Sequence, residues 1–147
     1  MKHVKKSVLL WYSPHEMYTL VTDIAAYPSF LPWCSSAEVL ATHDDGVTAR
    51  LGLSYRGLRQ SFTTRNEQRA DESVVIRLVD GPFSELEGSW VLRTLAGQAQ
   101  ACKIEFELRY AFAGAALEAL VSPVFDGIAN TLVDSFVKRA EVVYGQR

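Results

Sequence analysis

From about Ala37 to Phe112 the chain keeps apolar side chains on alternate positions, then after Gly114 it changes to helical spacing and holds that spacing to about Tyr144. A period of two gives a sheet one apolar face, and a period near 3.6 gives a helix one apolar stripe. Val47, Ala49, Leu51, Leu53 and Tyr55 alternate with Thr48, Arg50, Ser54 and Arg56. Val74, Ile76 and Leu78 repeat the pattern, as do Leu86, Trp90 and Leu92, and then Cys102, Ile104, Phe106, Leu108, Tyr110 and Phe112. The other parity of that last run holds Lys103, Glu105, Glu107 and Arg109, a charge ladder facing water. Turn residues at His43-Asp44-Asp45-Gly46, Arg56-Gly57, Ala70-Asp71-Glu72, Gly81-Pro82 and Ala96-Gly97 separate the runs. These connections leave no room for crossover helices, so the strands form an antiparallel meander.

Ahead of the meander, an apolar strand over about Val4 to Tyr12 runs into a helix start: Ser13 as N-cap, Pro14 at the first helical position and Glu16 completing a capping box. Met17, Leu20, Val21 and Ile24 then share one helical face. Tyr27 to Trp33 contains Pro28 and Pro32, which limits it to a brief second helix or turn. Beyond Gly114, the spacing of Leu117, Leu120, Val121, Val124, Ile128, Leu132, Phe136, Ala140 and Val143 predicts a long helix ended by Gly145, with Phe125, Ala129, Val133 and Val137 widening its stripe. Pro123 predicts a kink or break near Ser122, which could re-cap the second part. The expected fold is α+β: two short helices after the first strand, then a curved antiparallel sheet wrapped around a long C-terminal helix, in one domain spanning residues 1–147. This is the helix-grip arrangement.

At 147 residues and 48% hydrophobic content the chain can bury one sizeable core, about 70% of its unfolded surface. A formal charge of −2 gives no global attraction to nucleic acid or anionic membrane, and DNA is not an expected partner. The basic start Met1-Lys2-His3-Val4-Lys5-Lys6 is followed by an apolar run, Val8 to Tyr12, too short for a signal peptide, so a cytoplasmic location is expected. No stretch approaches the ~20 apolar residues that span a bilayer, which leaves peripheral contact at the inner membrane as the only membrane role. Cys34 and Cys102 form no CxxC and His3, His15 and His43 are scattered, so no metal site is expected and both thiols read as buried and reduced.

Tyr27-Pro28 and Phe30-Leu31-Pro32-Trp33-Cys34, with Gly81-Pro82-Phe83 and Leu86, Gly88 and Trp90, make two stiff aromatic corners. Together with Val21-Thr22-Asp23-Ile24, Phe62-Thr63-Thr64-Arg65-Asn66, and Phe136, Arg139-Ala140 and Val143-Tyr144-Gly145, their order and spacing resemble the Coq-type and RatA-type branch of the START-like superfamily over essentially the whole chain. The resemblance implies a helix-grip fold with an apolar tunnel between helix and sheet, and two roles. One is binding of ubiquinone or a related isoprenoid in support of respiratory electron transport. The other is binding of the large ribosomal subunit, which blocks subunit association.

For the first role, the candidate tunnel walls are Trp33, Phe62, Trp90, Leu92, Phe106, Leu108 and Tyr110 facing Val124, Ile128, Leu132 and Phe136. Gln60, Thr64 and Asn66 share parity with Phe62 and are candidate head-group contacts. The quinone would be a bound ligand, and no catalytic cofactor is expected. For the second role, the stretch from Val47 to Val79 holds Arg50, Arg56, Arg59, Arg65, Arg69 and Arg77 against only Glu67, Asp71 and Glu72, a local positive excess in a chain of net charge −2. These arginines are the candidate rRNA contacts, against the plainer reading that outer-face arginines keep a sheet soluble. Polyketide cyclases and aromatases share the superfamily, but no His, Asp or Glu falls on the apolar parity of the central strands, apart from Asp80, which reads as a turn residue before Gly81-Pro82. No GxSxG or HExxH motif occurs either, so enzymatic activity is not expected.

Overall fold

The computed structural model describes residues 1–147. Strand β1 (Lys2–Leu10) leads into helix α1 (Pro14–Thr22) and a short 3-10 helix (Ile24–Ser29). The meander follows as β2 (Cys34–His43), β3 (Gly46–Tyr55), β4 (Leu58–Arg69), β5 (Ser73–Asp80), β6 (Phe83–Leu95) and β7 (Gln98–Phe112), and helix α2 (Ala115–Tyr144) ends the fold. All seven strands form one antiparallel sheet in the order β1-β7-β6-β5-β4-β3-β2. The five turn signals fall at the five hairpin connections. Between β3 and β4, Arg56 and Gly57 both have positive φ (49° and 83°), the two-residue turn whose twist matches that of the strands it joins. Bulges in β2, β5 and β6 interrupt the register and bend the sheet toward the helix.

The capping box forms as the residues require: Ser13 Oγ accepts from the Glu16 amide at 3.1 Å and Glu16 Oε1 accepts from the Ser13 amide at 2.9 Å. Met17, Leu20 and Val21 of α1 are buried, and the helix packs on β6 and β7. Helix α2 lies against β7, β1 and α1.

Two expectations about α2 are corrected. Pro123 neither breaks the helix nor ends it, because it sits on the exposed side while Val121 and Phe125, buried on the sheet, hold the turns on either side. Ser122 does not re-cap: its hydroxyl donates to Asp126 at 3.0 Å and accepts from Lys2 at 2.8 Å. The buried stripe is Val121, Phe125, Ile128, Ala129, Val133, Phe136 and Ala140, about one position round from the expected line, so Leu120 and Val143 are exposed and Val124 is only half-buried. A third correction follows, since α2 is by length and composition long and apolar enough to cross a membrane; here its apolar stripe packs on the sheet.

Candidate functional site

Between α2 and the concave face lies a cavity of about 90 Å³. Seventeen of its nineteen lining residues are hydrophobic. They come from the corner after α1 (Ile24, Tyr27, Leu31 and Trp33), from the inward positions of β3 to β7, and from Phe125, Ile128, Ala129, Leu132 and Phe136 of α2. Small side chains leave room for the void: Ala49 on β3 and Ala129 on α2 both line it, where β6 and β7 present Trp90 and Phe106. Phe136 also lines it, with its ring centroid 5.1 Å from Trp90, 5.2 Å from Phe30 and 5.5 Å from Tyr27.

The two polar lining residues, Thr64 and Asn66, are 4% and 8% exposed. Thr64 Oγ1 donates to Asn66 Oδ1 at 2.8 Å, which leaves the Asn66 amide group without a protein acceptor on the cavity side. The corner itself is held by Tyr27, whose hydroxyl donates to the Val21 carbonyl, and burial keeps that phenol protonated far above its ordinary range. Burial also pushes the Cys34 and Cys102 thiols up to about 11, so neither is a thiolate nucleophile at neutral pH.

Of the expected walls, Trp33, Phe62, Trp90, Phe106, Leu108, Ile128, Leu132 and Phe136 line the cavity, as do Thr64 and Asn66. Four residues do not. Leu92 is buried opposite Ile104, toward the end of the sheet where α1 packs. Tyr110 is buried among Phe83, Phe112 and Phe125, and its hydroxyl donates to Asp126 Oδ1 at 2.5 Å. Val124 is turned into a surface groove by the one-position rotation of the α2 stripe. Gln60 lies in a shallow outer trough beside Arg59, because the strand end carries it past the edge of the concave core. Reading parity alone missed Ile24, Tyr27, Leu31, Phe125 and Ala129, and also passed over Ala49, Leu51, Ile76 and Leu86, whose parity did mark them as inward. The expected elongated tunnel is a small pocket here, below the roughly 150 Å³ that admits benzene and the 300 Å³ or more of ordinary ligand sites.

The arginines divide. Arg65 pairs with Asp45 at 2.5 Å and Arg77 with Glu67 at 3.3 Å, so their charge is locally matched. Arg50, Arg56, Arg59 and Arg69 have no carboxylate within 4.0 Å. Arg56 lies over the Tyr55 ring, 5.2 Å from its centroid. Arg50, Arg59, Arg65, Arg69 and Arg77 all take outer-face positions in the strand register. No cluster of three or more potential metal ligands occurs.

A seven-stranded curved sheet closed by one long helix over an apolar pocket is the helix-grip fold, and the family described as polyketide cyclase / dehydrase and lipid transport matches residues 10–137. The chain belongs to this family. It is 40% identical to the ribosome association toxin RatA of Pseudomonas aeruginosa over 97% of this chain and 98% of that one. A mitochondrial coenzyme Q-binding protein homologue of Xenopus laevis is 26% identical over 97% of this chain and 59% of its own length. The Zhui aromatase/cyclase of Streptomyces has the same fold, with a TM-score of 0.77 at 18% identity, covering 95% of this chain and 93% of that one. The fold is thus shared with a named enzyme, whereas the RatA relative, matched at the higher identity, is named for its association with ribosomes.

Proposed function

We propose that this protein associates with ribosomes, binding the large subunit in the cytoplasm and opposing subunit joining, without catalysing a reaction. The observation that carries this reading is the match to a protein named as a ribosome association toxin, with 97% of this chain and 98% of that one aligned. The unpaired outer-face arginines supply the kind of charge an rRNA partner requires. The test is sedimentation: purified protein added to separated subunits at low magnesium should migrate with the large subunit. On raising magnesium it should reduce the joined-ribosome peak in proportion to dose. Protein that stays at the top of the gradient at low salt, with joining unaffected, would overturn the reading.

A second reading is favoured by the pocket: a hydrophobic ligand, with ubiquinone or a related isoprenoid as the candidate. Its support is the apolar wall with a single buried polar pair, Thr64 and Asn66, suited to donating to a carbonyl. Each Å² of apolar surface buried is worth about 25 cal/mol, so a prenyl tail would gain substantially if it fitted. At about 90 Å³ the pocket must widen, by movement of α2 away from β3 and β4, before a tail enters. Native mass spectrometry of protein purified under lipid-retaining conditions tests this reading. Recovery of the apo mass alone from a quinone-replete host would count against it.

A further inference from the structure

Two grooves of different chemistry border the β3–β4 hairpin, one at Ser54 and Arg59 and the other at the adjoining Tyr55 and Arg56. On the outer face a polar trough is lined by Ser35, Ser54, Arg59 and Ser61. Beside it, Gly52 lets the Ser35 and Ser36 side chains lie over the strand: a Cβ there would stand 2.3 Å from Ser36 Oγ and 2.8 Å from Ser35 Oγ. No protein group hydrogen-bonds the side chains of Ser35, Ser54 or Ser61, and Arg59 has no carboxylate partner. On the other side of the hairpin a groove toward α2 presents Trp33, Tyr55 and Arg56, with Tyr55 40% exposed and Trp33 half-buried. The backbone of Ser54 donates to the Trp33 carbonyl at 2.9 Å, which fixes the two aromatic residues relative to each other. Neither groove contains an acidic residue, in a chain where acids outnumber bases 17 to 15.

Hydroxyls and an unpaired guanidinium suit phosphate oxygens, and exposed aromatic rings beside an arginine suit stacked bases. We propose that this hairpin end is the surface that meets RNA on the large subunit, with the trough on the sugar-phosphate backbone and Tyr55, Trp33 and Arg56 against unpaired bases. The proposal rests on the ribosome-association reading and narrows it. Arg65 and Arg77, matched by their own carboxylates, are left out of the contact, and so is Arg69 at the far end of β4, ten residues from Arg59 or about 33 Å at ~3.3 Å per residue.

The experiment compares large-subunit binding by wild type, the double variant Arg56→Glu/Arg59→Glu, Tyr55→Ala and the single charge-reversal control Arg69→Glu, with thermal melts to confirm folding. All four positions are exposed. The double variant should bind at least tenfold more weakly and show a shallower salt dependence. Tyr55→Ala should lose about fivefold or more, as loss of a stacked base requires. Arg69→Glu should stay within twofold. If wild type binds and the hairpin variants bind equally well, or if Arg69→Glu is as defective as the double variant, the surface assignment falls while ribosome association stands. Ultraviolet cross-linking should join the peptide containing Tyr55 to rRNA; a cross-link to a ribosomal protein alone would also overturn it. Absence of any wild-type binding would remove the parent reading instead.

Discussion

The two ends of this sheet were built from the same alternating pattern and became different things. At the β1–β7–β6 end the core is fully covered: Cys102 and Ile104 of β7, Met17 of α1 and Val121 of α2 have no exposed surface. Polar ties fasten that end from outside. Tyr144 donates to the Glu16 carbonyl at 2.9 Å, Tyr12 donates to the Gly145 carbonyl at 2.7 Å, and Arg147 reaches the Glu16 carboxylate with both terminal nitrogens, at 2.6 and 2.8 Å. At the β3–β4 end Ala49 and Leu51 leave a void beneath α2, the edge strand β2 is mostly exposed, and the surface carries unpaired arginines. Side-chain volume, at constant period, decides which end is scaffold and which is open to a partner.

The largest expected effect comes from removing volume at the filled end. Ile104→Ala should cost about 2–5 kcal/mol in urea unfolding, seen as a lower midpoint with an unchanged slope. Leu51→Ala, at a half-buried position beside an existing void, should cost only about 1 kcal/mol, because the walls there are already under-packed. Equal losses would mean that the sheet is evenly filled and the contrast is false.

A smaller effect tests the polar fastening of α2. Burial works to raise the Asp126 carboxyl, but hydrogen bonds from Lys2, Tyr110 and Ser122 together outweigh it and hold the group below its ordinary range. Glu16 is also held low, chiefly by its hydrogen bond from Arg147. A carboxylate with a lowered folded-state pKa contributes stability that is present above its unfolded value, near 3.9 for an aspartate, and is lost as pH falls through the folded value. Asp126→Asn keeps an acceptor for Tyr110 and removes the charge opposite Lys2, so it should cost about 1 kcal/mol at pH 7. The gap between variant and wild type should close as pH falls below 4. A gap that persisted unchanged at pH 2 would mean that packing, not charge, holds this part of the helix.

Much of this architecture was legible because its signals are local and redundant. Ser13, Pro14 and Glu16 specify one helix start, and each of the five turn motifs sits between two alternating runs, so element order and the helix-grip arrangement followed from the residues. The walls of the pocket were legible where parity decides the matter, as at Phe62, Thr64, Asn66, Trp90, Phe106 and Leu108. Parity cannot say where along a strand the cover changes, which is why Leu92 and Tyr110 were placed in a wall that ends before them. Helical spacing leaves a 100° uncertainty in which line of a wide stripe faces inward, and that placed Val124 where Phe125 belongs. Ion pairing is invisible to a count of charges: Asp45 sits 20 positions before Arg65 and is brought to it only by the β3–β4 register.

The smallest change in stability should accompany the most informative change in binding. Leu132 and Phe136 line the pocket from α2, and Leu132 is only half-buried, so Leu132→Trp can direct its added volume into the existing void. Overpacking a filled core commonly costs ~1–3 kcal/mol, and here the cost should stay below about 1 kcal/mol because space is already present. Any apolar ligand that uses this path should be excluded, so quinone retained through purification should fall to background in the folded variant. Association with ribosomes should remain, because Tyr55, Arg56 and Arg59 lie outside the pocket and, of the proposed RNA contacts, Trp33 alone borders it. Lys103→Ala is the control: on the outer face, 4.0 Å from Glu105, it should alter neither ligand content nor ribosome binding. A folded Leu132→Trp protein that retained quinone as well as wild type would separate the pocket from any ligand role. One that lost ribosome binding as well would show that the open end works as a single site, with the state of the pocket setting the posture of the hairpin.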